Sequence, residues 1–315
     1  MHLFCILGAT ASGKTALSIQ LAQYAKQQYN IDIEIISLDS ALVYQDMDIG
    51  TAKPTMQERC GIKHHLIDII PPTHNYNVGE FLQDVDNITK IIKDKTNHSN
   101  KLFIIVGGTM LYHHALTHGL HDIPNQNLEI RQQINQEAEL HGWQFMHNKL
   151  SQIDKSTADN IKPNDMQRIQ RALEIYYTSG KPPSYFYNQH RESKYKLTNI
   201  ALMPPRDLLH KKIEQRFNLM LEQGFINEVT NLIDKYPSLN LESNSIRCVG
   251  YRQAYEYIKN NITYQQFIDM GVASTRQLAK RQITWLRKTE SYHIDSSLNN
   301  SFELLKIKFD EYYLS

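Results

Sequence analysis

Cysteine is scarce: Cys5, Cys60 and Cys248 are the three in 315 residues, and no two form a C-x-x-C pair. This excludes a disulfide framework and a cysteine-based zinc site, and fits a reducing compartment. Long apolar runs are missing too. Leu3–Leu7 and Leu102–Val106 fall far short of the roughly 20 apolar residues a membrane helix needs, and no basic leader precedes the first, so a soluble, cytoplasmic protein without membrane contact is expected. No charge sign dominates. Lys plus Arg total 34 against 33 Asp plus Glu, a formal charge of +1 that excludes a uniformly basic nucleic-acid coat but permits local basic patches. Repeats and low-complexity tracts are absent. What remains, 41% apolar and 21% charged, is a globular composition, long enough for one large domain or for a core carrying an inserted second one.

The organisation follows from periodicity and punctuation. Residues 3–7 predict a buried strand closed by a glycine loop, and Leu17, Leu21 and Ala25 predict a helix from Lys14 to about Lys26. Residues 31–38 alternate apolar and polar like a second strand, 66–70 suggest a third, and 101–106 form a clear strand ending in Gly107-Gly108. Strands alternating with helices predict a parallel α/β sheet. From Asn127 to Gly180 only helical signals occur, notably over 128–141 and 165–178, the latter capped by Asn164-Asp165 and stopped by Gly180 and Pro182-Pro183. Residues 197–203 predict a further strand, and beyond 206 the chain is expected to be helical to near its end. The expected architecture is α/β: a P-loop NTPase-like parallel core (1–119 with 197–315), an inserted all-helical domain (120–196) and a helical C-terminal part.

Gly8-Ala9-Thr10-Ala11-Ser12-Gly13-Lys14-Thr15 matches G-x-x-x-x-G-K-[ST] between a predicted strand and a predicted helix. Its glycines let backbone amides turn toward phosphate oxygens, the helix N-terminus favours negative charge, Lys14 adds a point charge, and the Thr15 hydroxyl is placed for Mg²⁺. The motif implies a polyphosphate without saying which. Asp39 follows the strand 31–38, where α/β proteins bind ligands. There a carboxylate can hold metal, accept a proton from a nucleophile, or simply cap a turn.

Seven colinear blocks carry a more specific likeness. They are Gly8–Thr15; Asp39-Ser40-Ala41-Leu42-Val43-Tyr44 running into Met47–Pro54; Val106-Gly107-Gly108-Thr109-Met110-Leu111-Tyr112; Pro163-Asn164-Asp165 with Gln167–Glu174; Ile213-Glu214-Gln215-Arg216-Phe217; Ser245–Gln253; and Thr275–Arg287. Together they resemble the tRNA dimethylallyltransferases, or tRNA isopentenyltransferases, over nearly the whole chain. The likeness is to the bacterial form, lacking the zinc-finger extension of eukaryotic members. Two departures are small: Asp46 stands where members commonly carry Gly, and Ala9 where many carry Pro.

The resemblance implies transfer of a dimethylallyl group from dimethylallyl diphosphate to N6 of the adenosine 3′-adjacent to the anticodon, position 37, of tRNA. The products would be N6-dimethylallyladenosine and diphosphate. The phosphate loop would hold the leaving diphosphate, with Mg²⁺ on Thr15. By resemblance Asp39 is the general base, Thr109 lines the passage where adenine meets the prenyl chain, and Arg216 is a second cationic contact to the diphosphate. Position alone would make Thr109 a turn residue and Arg216 a solvated helix charge.

The RNA would meet local patches. Residues 270–289 hold no acid but contain Arg276, Lys280, Arg281, Arg287 and Lys288, with Trp285 as a stacking surface. Residues 243–255 hold Arg247, Tyr251 and Arg252. A solvated helix face is the alternative for each charge run, and a core position for Trp285. The family match assigns contacts with the tRNA anticodon arm to Asp39, Ser40, Ala41, Leu42, Thr109 and Arg131. It adds Gln167-Arg168-Ile169-Gln170-Arg171, Arg247-Cys248-Val249-Gly250-Tyr251-Arg252 and Lys280-Arg281-Gln282-Ile283-Thr284-Trp285-Leu286-Arg287. Monomeric protein is expected. His64-His65, His113-His114 and His118 lack a partnering carboxylate signature and are expected to be structural or surface groups. Competing readings are a small-molecule kinase, which leaves the Arg-rich blocks idle, a non-catalytic RNA-binding module, and prenyl transfer to a free adenine nucleotide.

Overall fold

The structure is a computed structural model that describes residues 1–94, 100–189 and 192–315. In chain order its elements are β1 (His2–Gly8), α1 (Lys14–Tyr29), β2 (Asp32–Leu38), β3 (His64–His65), α2 (Val78–Asp94), β4 (Lys101–Gly107), α3 (Met110–His118), α4 (Leu128–His141), α5 (Trp143–Ile153), α6 (Lys155–Ala158), α7 (Met166–Ser179), α8 (Pro183–Tyr187), β5 (Lys196–Leu202), α9 (Arg206–Glu222), α10 (Phe225–Lys235), α11 (Tyr251–Ile258), α12 (Tyr264–Leu286), β6 (Tyr292–Ile294) and α13 (Ser301–Leu314).

The six strands form one parallel sheet in the order β3-β2-β4-β1-β5-β6. Alternate residues of β1 feed two cores. Phe4 and Ile6 pack with Leu17 and Leu21 of α1 and Leu305 and Phe309 of α13, while Leu3, Cys5 and Leu7 pack with Phe217, Phe225 and Phe267 of the later helices. A strand covered on both faces needs apolar side chains at every position, which is why β1 and β4 show continuous apolar runs.

Three features differ from the sequence expectation. Strand β2 alternates in sequence yet is buried on both faces after Asp32. Its polar Glu34 is tolerated because His65 Nε2 (2.6 Å), Lys101 Nζ (2.6 Å) and Lys63 Nζ (3.5 Å) surround its carboxylate. The strand expected over 66–70 is not found there; a two-residue strand, His64–His65, lies just before it. Leu66 (φ 61°) and Asp68 (φ 57°) adopt left-handed backbone, which no strand accommodates, and Ile70 makes only an isolated bridge to Tyr44. Strand β6 was not anticipated, because three residues at a sheet edge leave no readable period.

The chain divides into two compact units, Met1–Thr117 with Lys194–Ser315, and His118–Ser193. The first holds the sheet. The second holds α4–α8 around Ile134, Met146, Leu150, Ile169 and Leu173. Side chains of Asn127, Asp154 and Asp165 accept from the amides of Ile130, Thr157 and Arg168, so α4, α6 and α7 each start on a capping residue. Gly180 ends α7 in the left-handed conformation (φ 69°). Among the described residues no helix is long and apolar enough to cross a membrane.

Candidate active site

Strand register brings three loops together. Gly107 pairs with Leu38 on one side and Leu7 on the other, so the chain leaves β1, β4 and β2 at one level of the sheet. The approach at Gly107 is close: a Cβ there would lie 2.1 Å from the Leu38 carbonyl oxygen, so only glycine fits.

The loop after β1 turns into α1 through Ala11 (φ 60°) and Gly13 (φ 87°), both left-handed. Ser12 N donates to Ala9 O, and Thr10 N to the side chain of Gln282. The amides of Ala11, Gly13, Lys14 and Thr15 donate to no described residue outside the helix, leaving a set of donors at the start of α1. Lys14 Nζ donates to Ala9 O at 2.7 Å. Burial pulls its ammonium down to about 8, Asp39 counteracts, and Arg216 adds to the fall. Two cations, Lys14 and Arg216, share a shielded place with the single carboxylate of Asp39, and that excess of positive charge describes an anion site.

Asp39 directly follows β2, with its oxygens unequally occupied. Oδ1 accepts from Ala41 N (2.8 Å) and Leu42 N (3.4 Å), whereas Oδ2 accepts from no described residue. Thr109, just past β4, accepts from Ser40 N at 3.1 Å through Oγ1, tying the two loops together. Arg216 of α9 is partly buried; burial lowers its pKa, against the charge of Asp39, and Nη2 donates to Thr51 O at 3.1 Å. Gln282 of α12 joins the loops from above: Oε1 accepts from Thr10 N (2.9 Å) and Nε2 donates to Gly108 O (3.0 Å).

Lys14, Thr15, Asp39, Thr109 and Arg216 line one cleft of about 660 Å³ within the first unit. The same cleft has an apolar lining, or wall, of Tyr44, Tyr76, Phe217, Met220 and Phe225. Sequence reasoning missed this wall, because these residues come from three distant segments and look like ordinary core.

Residues 42–289 match the family model described as IPP transferase. The chain is 50% identical over 289 residues to a tRNA dimethylallyltransferase of Neisseria meningitidis serogroup A, covering 91% of this chain and 89% of that one. A tRNA dimethylallyltransferase of Francisella tularensis subsp. tularensis is 46% identical over 316 residues, covering 98% of each. This chain belongs to the IPP transferase family. Among solved structures it resembles the full-length tRNA isopentenylpyrophosphate transferase from Bacillus halodurans, with a TM-score of 0.67 and 34% identity over 98% of this chain and 95% of that one. It also resembles a eukaryotic dimethylallyltransferase acting on tRNA, with a TM-score of 0.77 and 29% identity over 94% of this chain and 74% of that one.

In this IPP transferase the residues expected to touch RNA separate by exposure. Arg168, Arg247, Arg252, Lys280, Arg281, Thr284 and Arg287 are exposed, and so is Trp285 at 43%, which is therefore no core residue. Its ring meets the edge of His114 at 5.9 Å and borders the cleft. Ile169, Tyr251 and Leu286 are fully buried, so their side chains brace their segments and offer no surface to RNA. Ile283 packs against the small core around Leu209 and Ile213, and Gln282 spends both polar atoms inside the protein. Arg131 and Arg171 are also committed. They donate to the fully buried Glu174 from Nε (3.1 Å) and Nη1 (2.7 Å), and Arg171 Nη2 reaches Pro124 O at 2.6 Å. Burial pushes Glu174 upward, but hydrogen bonds from Arg131, Arg171 and Asn127 N more than reverse it. The histidines are engaged in structure: His64 with Ile62 O, His65 with Glu34, and His113 with Asn199.

Proposed function

We propose that this chain transfers the dimethylallyl group of dimethylallyl diphosphate to N6 of adenosine 37 in the anticodon loop of tRNA, releasing diphosphate. The observation carrying the reading is that an unoccupied carboxylate oxygen, a phosphate loop and an apolar wall share one cleft. A kinase would share the first two and could seat a nucleotide base on the third, but membership of the IPP transferase family favours a prenyl chain there.

The diphosphate sits on the free amides of the phosphate loop, between Lys14 and Arg216. The apolar wall takes the five-carbon chain and keeps water from the reacting carbon. Adenosine leaves the anticodon-loop stack to reach the cleft, with Trp285 at its border as a stacking surface and the exposed Arg and Lys side chains holding RNA phosphates. N6 then attacks C1 of the prenyl chain. The C1–O bond breaks with its electron pair going to the diphosphate, where Lys14 and Arg216 meet the growing charge. As the new C–N bond forms the amine becomes acidic, and Asp39 Oδ2 takes its proton. Thr109 keeps Ser40, and with it Asp39, at the mouth of the reacting space. The donor set also fits Mg²⁺, which commonly takes one or two protein oxygens and fills its shell with phosphate oxygens and water. The exposed Thr15 hydroxyl and the Asp39 carboxylate are the protein oxygens near the loop, and the ion would supply neutralising charge on the leaving group.

The test is incubation of the protein with Mg²⁺, dimethylallyl diphosphate and an anticodon stem-loop carrying adenosine at position 37. A mass gain of one C5H8 unit on that adenosine supports the reading. Unchanged RNA across several stem-loops, with ATP consumed in a parallel reaction, would replace it with a kinase.

A further inference from the structure

The segment 47–53 forms one side of the cleft through Gly50, Thr51 and Ala52, and it is built as a compact turn. Thr51 Oγ1 donates to Met47 O (2.7 Å), Ala52 N to Ile49 O (2.9 Å) and Lys53 N to Asp48 O (2.9 Å). The outer side of this turn presents three successive amides, and all three are taken by one side chain. Asp48 N (2.9 Å) and Ile49 N (2.6 Å) donate to Oε2 of Glu228, and Gly50 N (3.1 Å) donates to its Oε1. The buried Tyr251 hydroxyl donates to the same Oε1 at 2.6 Å. A carboxylate receiving this many directed donors is a rigid anchor, since both oxygens are held from several sides. The turn also sits tightly on its support: a Cβ on Gly50 would lie 2.2 Å from the Phe225 ring and 2.6 Å from the Tyr251 ring.

Arg216 depends on this turn. Among the described residues, the Thr51 carbonyl is the one acceptor its guanidinium has. Among the described residues no carboxylate pairs with it directly, so its charge stays available to an anion, while its direction is set by a carbonyl one residue beyond the anchored amides.

We infer that Glu228 is a positioning residue for the diphosphate site. It holds the turn 48–50 so that Thr51 O aims the Arg216 guanidinium into the cleft. The inference rests on the assignment of Arg216 to diphosphate under the proposed function, and it gives a task to a glutamate outside all seven motif blocks. Removing the carboxylate leaves the guanidinium in place but loosens the carbonyl that orients it. Glu228→Gln is a near-isosteric test, because its amide nitrogen would oppose backbone N–H groups that now donate to an oxygen.

The experiment is a double-mutant cycle with Glu228→Gln and Arg216→Gln, reading the Kd of inorganic diphosphate with Mg²⁺ by calorimetry. Stem-loop affinity and the unfolding transition are followed alongside. We expect about tenfold weaker diphosphate binding for E228Q, about fiftyfold for R216Q, and no further loss in the double variant, since a residue acting through another has no effect once that other is gone. Stem-loop affinity should remain that of the unaltered protein, and KM for dimethylallyl diphosphate should rise with the diphosphate Kd. Losses that multiply in the double variant, or an E228Q protein that binds diphosphate normally, would overturn the inference and leave the proposed function standing. An R216Q protein that binds diphosphate normally would overturn both. If E228Q does not fold, Glu228→Asp keeps the charge but withdraws the oxygens from the turn, and the same non-additivity with R216Q is expected.

Discussion

Oδ1 of Asp39 is occupied by two backbone amides, while Oδ2 accepts from no described residue, so the two halves of one side chain are set apart before any substrate arrives. The first half fixes the loop and the second is the proposed base. Asp39→Asn keeps the hydrogen-bonding shape and removes the base. We expect its kcat to fall by about 10²–10⁴ with stem-loop affinity unchanged, read in a single-turnover transfer assay. Lys14 leads to a pH dependence. With the ammonium at about 8 in the free protein, it is charged and ready for an anion at lower pH. Above that value it is neutral, and diphosphate binding must also take up a proton. Affinity for diphosphate should therefore fall by about tenfold per pH unit above the Lys14 value, over and above the probe's own ionisation. In Lys14→Arg that additional slope should vanish, because guanidinium stays charged. Asp46 is a third instructive residue. By the resemblance it stands where members commonly carry Gly, and its φ of 63° is backbone that suits glycine. The strain is offset by Lys235 Nζ (2.8 Å) and the Tyr236 hydroxyl (2.9 Å) on its carboxylate. Asp46→Gly should change stability by less than about 1 kcal/mol in chemical denaturation, the two effects opposing each other.

At the scale of elements, the cleft is made where strands end. Parallel strands deliver their C-terminal residues to one edge, and here that edge carries Gly8, Asp39 and Gly108 from β1, β2 and β4. Helix α12 closes the arrangement through Gln282, a single side chain bridging the phosphate loop and the loop after β4. Gln282→Ala should free Thr10 N and Gly108 O together. We expect diphosphate affinity to drop by up to about thirtyfold in calorimetry with the fold retained, as two bonds of about 1 kcal/mol each are lost. Exposed cations on the outer turns of α12 would keep their grip on RNA.

Across the whole molecule, the near-neutral charge balance makes RNA binding a matter of which cations are free. Arg131 and Arg171 neutralise the buried Glu174 inside the helical unit, whereas Arg168 is exposed and, among the described residues, bonded only to Asp165. The two kinds should behave differently. Arg131→Ala is expected to destabilise by about 2 kcal/mol, because it leaves a buried carboxylate short of a partner, and urea unfolding reads this directly. Arg168→Ala should leave stability alone and reduce the slope of log affinity against log salt for the stem-loop by about 0.7.

The sequence by itself determined the parallel α/β core, the phosphate loop and the family. Those depend on local punctuation and on blocks whose spacing survives in the linear chain: a glycine loop between strand and helix, a carboxylate after the next strand, Gly107-Gly108 after a third. It also placed α4 through its helical signal and α7 through its cap and stop. The exposure of side chains in the RNA-facing segments was beyond it, since Arg131 and Arg168 are both basic residues on helices and only packing around Glu174 separates them. The same holds for Tyr251 and Leu286, which sit within basic motifs yet face inward. Loop 66–70 failed as a strand because Leu66 and Asp68 take left-handed backbone and the Asp68 carboxylate turns to the buried Lys53, which also holds Asp48 and the Tyr44 carbonyl, none of which apolar periodicity reports. The apolar wall of the cleft, the bridge through Gln282 and the anchor at Glu228 were decided by tertiary structure alone. Each joins residues about 100 or more positions apart, and a side chain acquires such a role only when the fold brings its partners within hydrogen-bonding distance.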